Sequence, residues 1–462
     1  MIELINYLQA MNPYVYLALL AFILPTYLYL TRNFYLNIFD PVAMYIVMNS
    51  FAICLVMYMF IFDEIGYKSF SIFLLNNVFF WTGYAVIFVR YKTLYDQRLI
   101  KILNSVRSNE SYVGIVLLTI VTVAVSILLF LSRGVPVLSE NPSDAKILLY
   151  EGGFGPVRYI HMNFIPIIVG LSAIGIVLCF ASCKKPSLLQ RGNFRYIIIF
   201  AIVSLLLVAM GSKGSLLSIT TFLSVGLYYL KINNMKQIYD KFIYITYVAF
   251  ASAVAYLILI AFLTTGSSYD ILSHIIVRFV ASGDVFLYYY KYNLSDYYVN
   301  HGLKDFLLYI INPVASILRV AEPDFPMGAE ILHYATGWAI TSFGPNAQFP
   351  VIGDIFFGPA FSWLYSLTLG MLTGYLRIGS VKYLMRFGSY GTVLYLFLWS
   401  TSITIPGDLI LFIQLTFMFI LFSIPVYICT HIVASLSISR KQKHTSKNIN
   451  CLLSEANYVE IE

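Results

Sequence analysis

Tyr112-Val-Gly-Ile-Val-Leu-Leu-Thr-Ile-Val-Thr-Val-Ala-Val-Ser-Ile-Leu-Leu-Phe-Leu-Ser132 contains no charged side chain. As a helix it is about 30 Å long, the thickness of a bilayer's hydrocarbon core. Runs of the same kind fall near 13–31, 41–62, 70–89, 159–182, 194–210, 214–230, 242–263, 352–376, 388–405 and 409–436. They predict an all-α polytopic membrane protein with eleven spans. The 462 residues are 60% hydrophobic and 11% charged, with mean hydropathy +0.79. A soluble domain would carry roughly 25% charged residues. The chain reads as one integral-membrane unit over 1–462.

Between the eighth and ninth runs lies 264–350, the one long stretch with a soluble protein's mix of charge, glycine and proline. It holds His274, His301 and His333 of the six histidines. A loop of this length inside a compact protein is usually functional, and we expect an active-site cap. Apolar positions 303, 306, 307, 310, 311, 314, 317 and 318 recur at helical spacing, predicting an amphipathic helix at the membrane surface. Pro313 is expected to bend or break it. Tyrosines 288, 289, 290, 292, 297 and 298 fit either of two uses: rings such as Tyr289 stacking on sugars, or an interfacial aromatic belt.

Basic residues set the orientation. Of the 29, most fall on alternate connections: Arg32; Arg90 to Arg107; Lys184 to Arg195; Lys231 to Lys241; Arg377, Lys382 and Arg386; and Arg440 to Lys447. Those connections are expected in the cytoplasm, with the N-terminus and the long loop outside. The first run, with no Lys or Arg before it and no cleavage pattern after it, reads as a retained span. The tail 437–462 reads as cytoplasmic and disordered, in contact with anionic lipid. The formal charge of +7 thus points to topology, and no nucleic-acid partner is expected. The five cysteines form no disulfide framework, and no metal cluster or nucleotide-binding glycine motif occurs. No cofactor is expected. Almost nothing ionisable lies inside the runs, with only His161 and Asp354 a few residues past an external edge, which argues against an ion-coupled pump.

Gly211-Ser212-Lys213-Gly214-Ser215 opens a span with glycines and a cation, suited to an anion through free N–H groups and the helix dipole. The other reading is a hairpin whose lysine snorkels to the interface. Gly152-Gly-Phe-Gly-Pro156 with Arg158, and Arg133 after the fourth run, repeat the pattern; isolated arginines there also serve as lipid anchors. His333, as an imidazole, suits acceptance of a hydroxyl proton or a structural hydrogen bond.

These pieces together resemble the Wzy-type O-antigen polymerase family. The resemblance rests on Ser132-Arg-Gly-Val-Pro-Val-Leu138, Met210-Gly-Ser-Lys-Gly-Ser-Leu-Leu217, the loop with Arg278, Arg319 and His333, and Phe343-Gly-Pro-Asn346 with Ile352-Gly-Asp354. It implies a membrane glycosyltransferase at the outer face of a bacterial inner membrane. Its donor and acceptor would be oligosaccharide repeat units on undecaprenyl pyrophosphate. Lys213, Arg278 and Arg319, with Arg133 or Arg158, would hold the pyrophosphate on the Gly211–Gly214 turn, and His333 would serve the acceptor hydroxyl. The family's turn commonly carries arginine where this chain has Lys213, so the planar fork for phosphate is lost. O-antigen ligases, which transfer glycan to lipid A core, share the plan. A lipid-linked oligosaccharide flippase is the alternative from another class. Membrane lipids are partners in every case, and binding of a chain-length regulator stays open.

Overall fold

The first two helices begin by the same local chemistry. Asn12 and Asp40 each precede a proline and cap the helix that follows: the Asn12 carbonyl accepts from Tyr14 and Val15 N–H, and the Asp40 carboxylate from Val42 N–H. An N-cap acceptor with proline at the first helical position is a strong start signal. The computed structural model describes residues 6–8, 10–139, 145, 157–182, 191–210, 215–265, 280–322, 325–337 and 344–456.

The helices are α1 (Pro13–Thr31), α2 (Pro41–Ile61), α3 (Tyr67–Asn104), α4 (Asn109–Arg133), α5 (Val157–Ser182), α6 (Arg191–Ala209), α7 (Ser215–Ile232), α8 (Lys236–Thr265), α9 (Asp284–Lys291), α10 (Leu303–Ile317), α11 (Met327–Thr336), α12 (Phe349–Gly374), α13 (Gly388–Thr401) and α14 (Leu409–Ala456). No strand occurs among the described residues. Each of the eleven apolar runs lies on a helix, so the all-α polytopic fold holds. Among the described residues eight helical stretches are long and apolar enough to cross a membrane, one of them spanning 349–404, and 194–209 and 219–232 are shorter. The helix α14 continues to Ala456, through most of the tail expected to be disordered. No glycine or proline after Pro425 interrupts it, and both are the residues that most oppose a helix.

Helices α3 and α12 lie side by side with almost no side chain between them. A Cβ on Gly83 would stand 2.1 Å from the Leu367 carbonyl oxygen, and one on Gly370 would stand 1.9 Å from that of Phe80. Small residues let helix backbones approach where lipid supplies no hydrophobic drive. Asn76 ties the pair together, donating to Ser362 Oγ at 3.1 Å and accepting from Ser366 Oγ at 2.6 Å.

The helix α12 is broken. Gly358 has φ 66° and ψ 173°, a left-handed backbone that glycine adopts without penalty, and the chain reverses there. Before the break Gly353 packs on Ser362 and Tyr365 from after it. Phe80 meets both Phe349, at 4.9 Å between rings, and the backbone beside Gly370. Phe349–Phe357 is therefore a half-helix doubled back against Ser362–Gly370. Its start, level with Phe80, is thirteen residues, or about 20 Å, along α3 from Tyr67.

The long loop is not a cap lying wholly beyond the bundle. A Cβ on Gly283 would meet Ala52 Cα at 2.7 Å, and Ser282 Oγ donates to the Met48 carbonyl at 3.0 Å. Ala52 stands nine residues, or about 14 Å, from the loop end of α2. From Val285 to Tyr290 every residue of α9 is buried. A short helix apolar on all sides is stable only when surrounded, and α9 is surrounded by α2, α3, α11 and α12. Lys291 closes the insertion with an ion pair to Glu64 at 2.9 Å.

The helix α10 also departs from expectation. It continues through Pro313, and beyond Lys304 at its start its exposed face is apolar: Leu303, Leu307, Leu308 and Ile311. Phe306, Tyr309 and Ile310 pack inward. The polar Asn312 and Ser316 turn toward the protein. This is the pattern of a helix facing lipid from the side of a bundle, not one floating on the membrane with its polar face in water.

At the opposite end of the bundle Arg377 is buried. Its guanidinium donates to Asp40 Oδ1 at 2.6 Å and to the Trp399 carbonyl at 2.7 Å. Its sequence position, after an apolar run and beside Lys382 and Arg386, predicts a basic flank at the membrane edge for Arg377. It is instead half of an ion pair with side-chain exposures of 3% and 0%.

Candidate functional site

Where the inserted loop meets the short connection between α13 and α14, a cavity of about 160 Å³ opens. The α13 helix has fourteen residues and is continued by a 3-10 turn over Ser402–Thr404. The Pro406 carbonyl accepts Phe349 N–H at 3.1 Å, which fixes that connection at the level where the α12 half-helix begins. One wall of the cavity is the inner face of α10, with Tyr309, Asn312 and Ser316. A second is the start of α11 against Pro345 and Ala347. The third is Asp408, Ile410, Leu411 and Gln414. The second wall has no slack, since a Cβ on Gly328 would stand 1.6 Å from the Pro345 carbonyl oxygen.

Asp408 is the charged group of this cavity. Its Oδ1 accepts Leu411 N–H at 2.9 Å, capping α14. Burial raises its pKa, against the opposing pull of the Leu411 and Ile410 N–H groups. A carboxylate shifted upward in a cleft is a candidate proton acceptor. The sequence carried a signal for it in Ile405-Pro-Gly-Asp408, a turn ending on a capping residue before an apolar run.

The residues anticipated from sequence do not converge here. Among those described, Arg133 is exposed at the end of α4, and Arg319 is exposed just past α10 with φ 59°. His333 is half-buried in the last turn of α11, its ring 5.2 Å from that of Tyr334. None of the three lines the cavity. Lys213, Gly211, Ser212, Gly214 and Arg278 lie outside the described residues, as does the side chain of Arg158.

Comparison with known proteins finds no matching family model, characterised protein or solved structure. The functional reading therefore rests on chemistry and geometry.

Tyr289 does not offer a ring to solvent. It is 1% exposed, and its hydroxyl donates to Asp354 Oδ2 at 2.9 Å. Tyr288, Tyr290 and Tyr298 are also buried, leaving Tyr292 and Tyr297 exposed. Burial of α9 explains this, because its aromatics fill the space between α2, α3 and α12.

Asp284, at the start of α9, has a measurable consequence. Burial raises its pKa to about 7, opposed by the backbone N–H groups of Val285 and Asp284. Unfolded, the carboxyl ionises near 4. The folded state therefore holds the proton more tightly, and the resulting stability is full below about pH 4 and lost as pH rises through 7. Melting temperature is expected to fall between pH 5 and pH 8, and Asp284→Asn to flatten that fall. An unchanged slope in the variant would show that Asp284 is not the group responsible.

Proposed function

We propose that this protein is a membrane glycosyltransferase that polymerises oligosaccharide repeat units carried on undecaprenyl pyrophosphate, at the outer face of a bacterial inner membrane. The observation that carries the reading is the cavity inside the bundle holding the half-buried Asp408 carboxylate, with a wall, α10, whose other face is largely apolar. This arrangement suits an amphiphile whose polar head enters while its tail stays among lipids. Asp408 takes the acceptor hydroxyl's proton, the role that the family resemblance implies for His333. As the glycosidic bond forms, the donor's pyrophosphate leaves with the bonding pair, and Lys213 and Arg278 are the cations proposed to meet that charge. The same geometry serves a ligase transferring the glycan to lipid A core.

A carrier is the second reading, favoured by the broken α12, because discontinuous helices often build transporter sites. The surface glycan of a deletion strain separates the three. Single repeat units still transferred to the cell surface indicate a polymerase. Lipid-linked polymer that is never transferred indicates a ligase, and repeat units trapped on the cytoplasmic leaflet indicate a carrier.

A further inference from the structure

Asp354 lies in the α12 half-helix and is 6% exposed. Tyr289 satisfies one of its oxygens, and Oδ1 has no hydrogen-bond partner. Among the described residues the ion pairs within 4.0 Å are Lys291–Glu64 and Arg377–Asp40, so none involves Asp354. Lys68, exposed in the first turn of α3, acts on it only at longer range. A carboxylate removed from water without a paired charge is strongly disfavoured.

The neighbouring polar atoms are in the same condition. The hydroxyls of Tyr290 and Tyr298 and Nδ1 of His301 are buried without partners. Ring contacts link them to the Asp354 partner Tyr289: Tyr289–Tyr290 at 5.4 Å, Tyr289–Tyr298 at 6.5 Å and Tyr298–His301 at 5.1 Å. The half-helix ends at Gly358, and Pro359 has no N–H to offer the Ile355 carbonyl. Its negative dipole end therefore lies about one turn beyond Asp354. Buried polar atoms that lack protein partners commonly mark water or an ion.

We infer that Asp354, with the hydroxyls of Tyr289 and Tyr290, forms a binding site for one monovalent alkali-metal cation. Charge decides the valence. A single carboxylate neutralises one positive charge, whereas divalent sites generally recruit several carboxylates or keep much of their water. Hard oxygen donors favour an alkali ion over a soft metal. The ion satisfies Oδ1 and locks α9 to the half-helix beneath the loop. The inference does not depend on the glycan reading.

The test is thermal unfolding of the full chain in detergent at fixed pH and ionic strength, in sodium, potassium or choline chloride. A saturable rise in melting temperature with sodium or potassium, missing with choline, is expected. Asp354→Asn should abolish it. If that variant does not fold, Tyr290→Phe should raise the half-saturating salt concentration about tenfold, equivalent to losing one modest contact. Equal melting in all three salts would mean that a proton neutralises Asp354 and would overturn the inference. An alkali effect that survives Asp354→Asn, or an unchanged half-saturation in Tyr290→Phe, would overturn it as well.

Discussion

Asp408→Asn is expected to lower glycan polymerisation by about 10²–10⁴-fold, the usual contribution of a positioned general base. The substitution is chosen because asparagine caps a helix nearly as well as aspartate, so the Leu411 N–H keeps its acceptor and only the proton-accepting oxygen is lost. Asp408→Ala removes the cap too and should cost about 1 kcal/mol of stability besides. The measurement is surface polymer normalised to protein in the membrane, with single-turnover rates on lipid-linked substrate where available. Because burial raises the Asp408 pKa, the acid limb of the wild-type pH–rate profile should lie above the ordinary carboxylate range, and the residual Asp408→Asn rate should lack it. Wild-type polymer from Asp408→Asn at equal abundance would remove Asp408 from the chemistry.

Arg377→Leu is expected to destabilise the fold by about 3–5 kcal/mol, the cost of leaving one member of a buried pair unpaired. Asp40 would retain only the N–H groups of Leu36 and Val42, and the Trp399 carbonyl would lose its donor. Asp40→Asn keeps the α2 cap while removing the charge, so it reports the pair without the cap. The double variant should recover part of the loss, because neither charge is then stranded. Melting temperature of the purified protein and its abundance in the membrane both read this. A single Arg377→Leu variant that melts with the wild type would show that the pair is dispensable.

The helices were legible because a bilayer demands long uncharged runs, and the sequence has little else. What escaped is the arrangement of polar groups that tertiary packing alone decides. Arg377 follows an apolar run, as a flanking arginine does, and nothing local distinguishes it from one; its partner is 337 residues away. The run 285–290 was read by its hydroxyls when its aromatic area governed its fate. Gly358-Pro359 was a visible break inside the ninth run, passed over because hydropathy averages across it. Asp408 lay in a connection too short to attract notice. Of the anticipated cations Arg133 and Arg319 lie exposed and away from the cavity, and the candidate site turns on a carboxylate, Asp408, whose only local mark is the turn before it.

The reversal at Gly358 bears on biogenesis. A translocon releases apolar stretches into lipid one at a time, and a straight span needs nothing beyond its own backbone hydrogen bonds. The stretch from Phe349 to Gly374 cannot finish that way, because its N-terminal half begins beside Pro406 and packs on α9 and α3. Maturation must therefore wait for residues made after it, and the half-helix docks only once α13 and the connection to α14 have been synthesised. Chains truncated between 374 and 406 will expose an unpaired helix start within the bilayer, so topology reporters fused there will describe a folding intermediate and not the finished protein.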